Sequence, residues 1–329
     1  MRLKVQDFVC LKDVDVELND ITFFIGEQAS GKSLLCKLYF YFRQVLSSQF
    51  REAIVEDKTF DEYKEMALNS FGDFFPKEIW SSKDFYIEVI LDEKNKIILS
   101  YKNYDFILSF NEYLEKIFKN LKNDFYNAKK TYLNNNQDIS DNILSLMKYA
   151  IYRSVAANKD YNVFFEDVIY IPSARAFFST VADNIFSLIS NNINIDTFLA
   201  EFGKKYEAVK HVKIDSNKEV DTLIRTVLKK DFIIDKKDTW LVSDDGIRTS
   251  IFYASSGQQE ALPLLLVLRN LLVIKSNLMT NRKSVVIEEP EAHLFPTAQK
   301  AIVDLLFYVR HYGQAKKLLI TTHSPYILS

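Results

Sequence analysis

Ile21-Thr22-Phe23-Phe24-Ile25, followed at once by Gly26-Glu27-Gln28-Ala29-Ser30-Gly31-Lys32-Ser33, is the stretch on which the reading of this 329-residue chain turns. The first five residues do not alternate between apolar and polar, which predicts a strand buried on both faces, as in the middle of a parallel sheet. Beyond the loop, Leu34, Leu35, Leu38 and Tyr39 recur at helical spacing. The eight residues between match GxxxxGK[ST] and sit between strand and helix, where the mechanism of that pattern requires them. Glycines let the backbone turn tightly enough to aim successive N–H groups at phosphate oxygens, and the helix N-terminus adds about half a positive charge. Lys32 is then expected to reach the β- and γ-phosphates of a nucleoside triphosphate, and the Ser33 hydroxyl to complete a Mg²⁺ shell. Gly26, Glu27, Gln28, Ala29, Ser30, Gly31 and the helix-opening Leu34 complete the expected lining. The chain has only seven glycines, so a Gly-rich turn matching by accident is the weaker reading.

Three further stretches carry chemistry. Ser284-Val285-Val286-Ile287-Glu288-Glu289-Pro290 is a short apolar strand that delivers two adjacent carboxylates and is ended by a proline. Beside a phosphate loop, Glu288 is expected to hold the metal through water and Glu289 to polarise the attacking water; the competing reading is a solvated acidic turn. Ser255-Ser256-Gly257-Gln258-Gln259-Glu260 opens a leucine-rich helix, so its hydroxyls and glycine make either an anion-binding end, with Ser255, Ser256, Gly257 and Gln259 facing nucleotide, or a plain N-cap. Leu318-Leu319-Ile320-Thr321-Thr322 is a strand running into His323; a lone histidine is more often structural than functional.

The rest of the chain supplies the frame. Arg2–Val5 and Val14–Leu18 read as strands, and Phe85–Leu91, Lys96–Tyr101 and Phe106–Leu108 as an antiparallel meander. Leu114, Ile117, Phe118, Leu121, Phe125 and Ala128 mark one face of a helix over 111–133, with a second helix expected at 139–157. Asp167–Ile171 is a strand ended by Pro172, two helices follow to about Lys210, and 231–253 holds three short strands with a turn at Asp244-Asp245-Gly246. From Gln258 on, helix, strand, helix and strand alternate as in a parallel α/β sheet. The expected division is 1–110, 111–230 and 231–329. Charges nearly cancel, 42 basic against 44 acidic, and 48% of residues are hydrophobic. That balance excludes a disordered chain and a surface coated with nucleic acid, leaving any DNA or RNA contact regional. Two cysteines, Cys10 and Cys36, make neither a disulfide framework nor a zinc site and are expected to be small core residues of a protein in a reducing cytoplasm. No secretory signal is visible, and the longest apolar run, Ala261–Leu268, is far short of the ~20 residues that span a bilayer.

The order of these elements resembles the ABC ATPase motor, in which they are Walker A, signature, Walker B and switch histidine. In that family two heads sandwich two ATP molecules, and each signature touches the nucleotide held by the other head. Ile287-Glu288-Glu289-Pro290-Glu291-Ala292-His293-Leu294 and Thr321-Thr322-His323-Ser324-Pro325 look like the branch containing RecF, SMC heads and the OLD ATPases, whose relatives include the ATPases of Gabija, Septu and PARIS anti-phage systems. The resemblance implies an α/β P-loop NTPase of ABC type, with a mixed sheet, an antiparallel β lobe and an inserted helical lobe. It further implies ATP and Mg²⁺ as ligands, an ATP-dependent homodimer, a DNA-directed or toxin/nuclease effector, and no membrane. Relatives usually continue beyond the position of Ser329, so an effector region is expected elsewhere.

The chain departs from that pattern at Glu288, where Asp is common, at Gln258, which replaces the second signature glycine, and at Phe295, where many ABC proteins carry the D-loop Asp. No Q-loop glutamine is assigned, although Gln49 follows the first helix. Arg175, at a strand-to-helix corner, either contacts phosphate or a partner chain or is an exposed cap of local carbonyls. The lysines of 111–133, with Lys204, Lys205, Lys229 and Lys230, either face DNA or are merely solvated. A transporter subunit is disfavoured, since roughly 220 residues separate Lys32 from Ser255, and SMC function is disfavoured by the lack of a heptad arm. A nucleotide-gated scaffold that does not hydrolyse is opposed by Glu289.

Overall fold

A computed structural model describes residues 1–80, 83–93, 95–134, 161, 164, 166–180, 195–235, 238–273 and 283–327. The helix expected at 139–157 lies outside these residues, as does 181–194 of the pair expected before Lys210. The chain forms two compact units, 1–19 with 37–168 and 278–282, and 20–36 with 169–277 and 283–329. They interleave along the sequence.

The first unit is built on an antiparallel sheet in the order β2-β1-β4-β5-β6: β1 (Arg2–Phe8), β2 (Leu11–Glu17), β4 (Phe85–Ile90), β5 (Lys96–Lys102) and β6 (Asp105–Phe110). Period-two alternation buries Phe85, Ile87 and Val89 of β4 and Ile97, Leu99 and Tyr101 of β5 on one face,. Helices α2 (Phe50–Val55), α3 (Phe60–Phe74) and α4 (Glu112–Asn134) pack with one another, and α3 meets β6. The core is aromatic: Phe8 meets Phe71, Phe75 and Phe85 at ring separations of 5.8, 5.6 and 4.9 Å, and Tyr63 stacks on Phe118 at 5.5 Å,. Two buried hydroxyls are satisfied by backbone, Tyr41 donating to the Ala67 carbonyl at 2.6 Å and Tyr63 to that of Val45 at 2.8 Å,. Cys10 corrects an expectation: it is exposed, in the tight turn between β1 and β2, whereas Cys36 is buried.

Sequence reading passes over α3, although its signals are present. Thr59 and Glu62 form a capping box, and Phe60, Tyr63, Ala67, Phe71 and Phe74 bury one stripe,. Thr59→Ala is expected to cost ~1 kcal/mol of stability, read as a lower urea midpoint at unchanged slope.

The second unit holds a sheet in the order β3-β12-β11-β7: β3 (Ile21–Ile25), β7 (Asp167–Ile171), β11 (Lys283–Glu288) and β12 (Ala315–Thr322). β3, β12 and β11 run parallel, with Phe24, Thr321 and Glu288 abreast. A second, antiparallel sheet is made by β8 (Asp231–Ile234), β9 (Thr239–Val242) and β10 (Arg248–Ser250). α1 (Lys32–Gln44) starts in this unit, which also holds α5 (Thr197–Lys210), α6 (Lys218–Leu228), α7 (Ser256–Asn270) and α8 (Pro296–Tyr312). α7 is the central helix, in contact with α5, α6 and α8. Its all-round apolar run from Ala261 to Leu268 is therefore buried throughout,. The most buried strands are β11 and β12; β3 is not covered on both faces as expected. Its first four residues are half-buried and Ile25 is 56% exposed, because the strand ends the sheet and pairs on one side with β12. Among the described residues no helix is long and apolar enough to cross a membrane.

Candidate functional site

The loop after β3 has the expected shape. Ala29 and Gly31 take left-handed φ values of 60° and 91°, so the backbone curls upon itself as an anion-binding nest does. Gly26 to Ser30 are exposed, α1 begins at Lys32, and Ser33 and Leu34 are half-buried in its first turn. The Lys32 ammonium is folded into the loop, where it donates to the carbonyls of Gly26 at 2.8 Å and Glu27 at 2.6 Å and to Ser30 Oγ at 3.2 Å. All three donors of the ammonium are thus held by groups that phosphate oxygens can replace.

Strand order brings the remaining chemistry to the same end of the sheet. β3, β12 and β11 all finish there, and neighbouring strands lie about 4.8 Å apart, so the end of β11 is about 10 Å from the start of the loop. Glu288 is buried; its Oε2 accepts from the Ser173 N–H at 3.2 Å and from the Ser173 hydroxyl at 3.5 Å. Its Oε1 is buried and makes no hydrogen bond of ordinary geometry, although the Tyr170 phenol interacts with this carboxylate. An acceptor of this kind fits a hydrated divalent cation, which Ser33 and Glu288 would hold, and which when bound would draw charge from the phosphates. A hydroxyl and a carboxylate are hard oxygen donors, of the kind that suits Mg²⁺. Burial, helped by the nearby Glu288 charge, pushes the Cys36 thiol and the Tyr170 phenol well up.

Glu289 differs from its neighbour in being half-exposed, and its φ of 42° is left-handed, an uncommon state for a residue with a side chain,. His323 Nε2 lies 3.4 Å from Glu289 Oε1. The histidine is itself held by Glu291, whose Oε1 accepts from the His323 N–H at 2.9 Å and from the Thr322 hydroxyl at 2.6 Å. Sequence reading does not single out Glu291; its buried position one strand away from Thr322 is the signal, and that exists only after folding.

The start of α7 divides the four residues expected at nucleotide. Ser255 and Ser256 are exposed, but Ser255 is spent in a capping box with Gln258. Gln259 turns inward, donating to the carbonyls of Ile251 at 3.1 Å and Phe252 at 2.7 Å. Gly257 is buried, and a Cβ there would sit 2.6 Å from the His293 carbonyl oxygen. Glycine is therefore required by close packing of helix start on loop. Ser256 alone keeps an exposed side chain with no role in the cap.

Arg175 departs from both of its expected readings. It is wholly buried, and of the backbone oxygens to which it donates, those of Pro172, Glu260, Glu288 and Glu289, only the first is local. Burial lowers the pKa of the guanidinium against the pull of Glu260, Glu291, Glu288 and Glu289, and burial raises that of Glu260 against the pull of Arg175; the arginine stays charged. Several of the lysines considered for DNA are paired within the chain: Lys119 with Glu115, Lys122 with Asp57, and Lys204 with Glu201. Gln49, in the first unit, is buried and donates to Ser70 Oγ at 2.9 Å.

The sequence model of a family described as AAA ATPase domain matches residues 1–328. Among solved structures the chain is similar to the SMC head domain from Thermotoga maritima, at 10% identity and a TM-score of 0.42, covering 99% of this chain and 90% of that one. It is similar to an SMC head bound to the C-terminal winged-helix domain of ScpA, at 11% identity and a TM-score of 0.44 with the same coverage. It is also similar to the recombination mediator RecF, at 13% identity and a TM-score of 0.35, covering 98% and 92%. No curated protein matches the sequence.

Proposed function

Because the chain belongs to the AAA ATPase domain family, we propose that it binds ATP with Mg²⁺ and hydrolyses it as an ABC-type head that closes with a second copy. The observation that carries this reading is the convergence of the 26–33 loop, Glu289 and His323 at the ends of three adjacent parallel strands. Lys32 exchanges its loop carbonyls for β- and γ-phosphate oxygens, and the loop N–H groups cradle the rest of the triphosphate. Glu289, exposed enough to meet water, accepts the proton of the water that attacks the γ-phosphorus, and ADP leaves with the bridging oxygen. His323, aimed by Glu291, orients that water or the Glu289 carboxylate.

Ser256, exposed at the N-terminal tip of α7, supplies the contact to nucleotide held by the second copy. Closure and reopening then control a DNA-directed or toxin/nuclease effector, and the runs 287–294 and 321–325, which look like OLD-type sequences, support a role in anti-phage defence within the cytoplasm. Ser256→Arg is the direct test: ATP-dependent dimers seen by light scattering with the unaltered chain are expected to vanish in the variant, with the monomer still binding ATP. A monomer in both cases would contradict closure by two copies.

A further inference from the structure

The segment after β7 is a bracket between two parts of the site. Pro263 stands eight residues into α7 without an N–H, so the carbonyl of Gln259 lacks its usual helical donor,. Ser179 Oγ takes that place, donating to Gln259 O at 2.7 Å. One residue further on, Arg175 Nε donates to the Glu260 carbonyl at 3.1 Å. The other nitrogens of the same guanidinium reach the acid pair: Nη1 donates to Glu288 O at 2.8 Å and Pro172 O at 3.0 Å, and Nη2 to Glu289 O at 2.9 Å. Ser173 meanwhile holds the Glu288 carboxylate.

Glu289 is where such a hold matters. Its left-handed φ costs free energy and persists only if the surroundings fix the backbone on both sides,. Its N–H donates to Thr321 O at 2.9 Å, and Arg175 grips its carbonyl. The rigid planar fork of the guanidinium bonds both ends of the bracket at once,. Glu260, 3.5 Å from Arg175 Nε, supplies the counter-charge from α7.

We propose that Arg175 is a positioning residue that makes the aim of Glu288 and Glu289 depend on where the first turns of α7 sit, so that engagement of the Ser256 tip is felt at the acid pair of the same chain. This rests on the ATPase reading above and extends it: the residue touches neither nucleotide nor water, and acts by relaying position.

The test uses the whole chain, with Arg175→Lys, Glu260→Gln, the double variant and Glu289→Gln in parallel. Lysine keeps the charge but has no planar fork to span both elements. Arg175→Lys is expected to lower kcat by about tenfold or more while the Kd of a slowly hydrolysed ATP analogue stays within about twofold. Glu260→Gln is expected to lower kcat about threefold in the unaltered chain and not at all beside Arg175→Lys. Amide exchange is expected to rise together over 256–260 and 287–291 in Arg175→Lys, and over 287–291 in Glu260→Gln. Unaltered kcat in Arg175→Lys, equal losses of kcat and affinity there, exchange in Arg175→Lys confined to one of the two segments, or exchange over 287–291 left unchanged by Glu260→Gln would overturn the relay. If Arg175→Lys does not fold, the exchange pattern of Glu260→Gln decides it. Hydrolysis that Glu289→Gln leaves unchanged would instead overturn the role given to Glu289, and the exchange comparison would still settle the relay.

Discussion

Glu289→Gln is expected to leave ATP binding intact and to slow hydrolysis by at least ~100-fold, about 2.7 kcal/mol of barrier. The amide has nearly the size of the carboxylate and keeps a hydrogen-bond acceptor, so it preserves the half-exposed side chain beside His323, but it cannot take a proton from water. Glu288 cannot substitute, being buried with one oxygen bonded to Ser173. Single-turnover hydrolysis and equilibrium binding, measured on the same preparation, separate the two effects. Turnover equal to that of the unaltered chain would remove Glu289 as the base.

Lys32→Met is expected to weaken ATP binding on the order of 100-fold, since it removes an ammonium whose charge-assisted bonds to phosphate are worth about 1.5–3 kcal/mol each. Binding of a fluorescent ATP analogue reads this directly. The substitution also leaves the carbonyls of Gly26 and Glu27 without their side-chain donor, but both lie in an exposed loop where water replaces it. The thermal midpoint without nucleotide is therefore expected to change little, and the stabilisation by added ATP to disappear. Undiminished stabilisation by ATP would place the triphosphate elsewhere.

The bonds of Lys32 can be anticipated from the sequence and those of Arg175 cannot, and the range of the interactions is the reason. Lys32 bonds to groups at most six residues away, so the motif contains its own partners. β11 and β12 were readable for a similar reason, as short apolar runs ended by charged or polar residues. Arg175 bonds to carbonyls 85, 113 and 114 residues distant, and every amino acid has a carbonyl, so no residue type in the sequence marks the partners. Gln259 is a case of the same kind: a polar side chain beside an anion-binding helix end looks aimed outward, and the two carbonyls of 251–253 that turn it inward come only with the fold. β3 showed its strand character locally, but its place at the end of the sheet depends on which strand pairs with it, and that partner lies almost three hundred residues later in the chain. α3 is hard to read from sequence despite its capping box, because its apolar stripe is aromatic and mixed with charged residues.

Gly257 carries a consequence for how this chain tolerates sequence drift. A methyl group at that position would overlap the His293 carbonyl oxygen, while Ser256 beside it is exposed and has no part in the cap. Evolution can therefore retune the chemistry that the helix tip presents to another molecule without disturbing its footing, and the footing itself can change only if position 257 and the 289–294 turn change in concert.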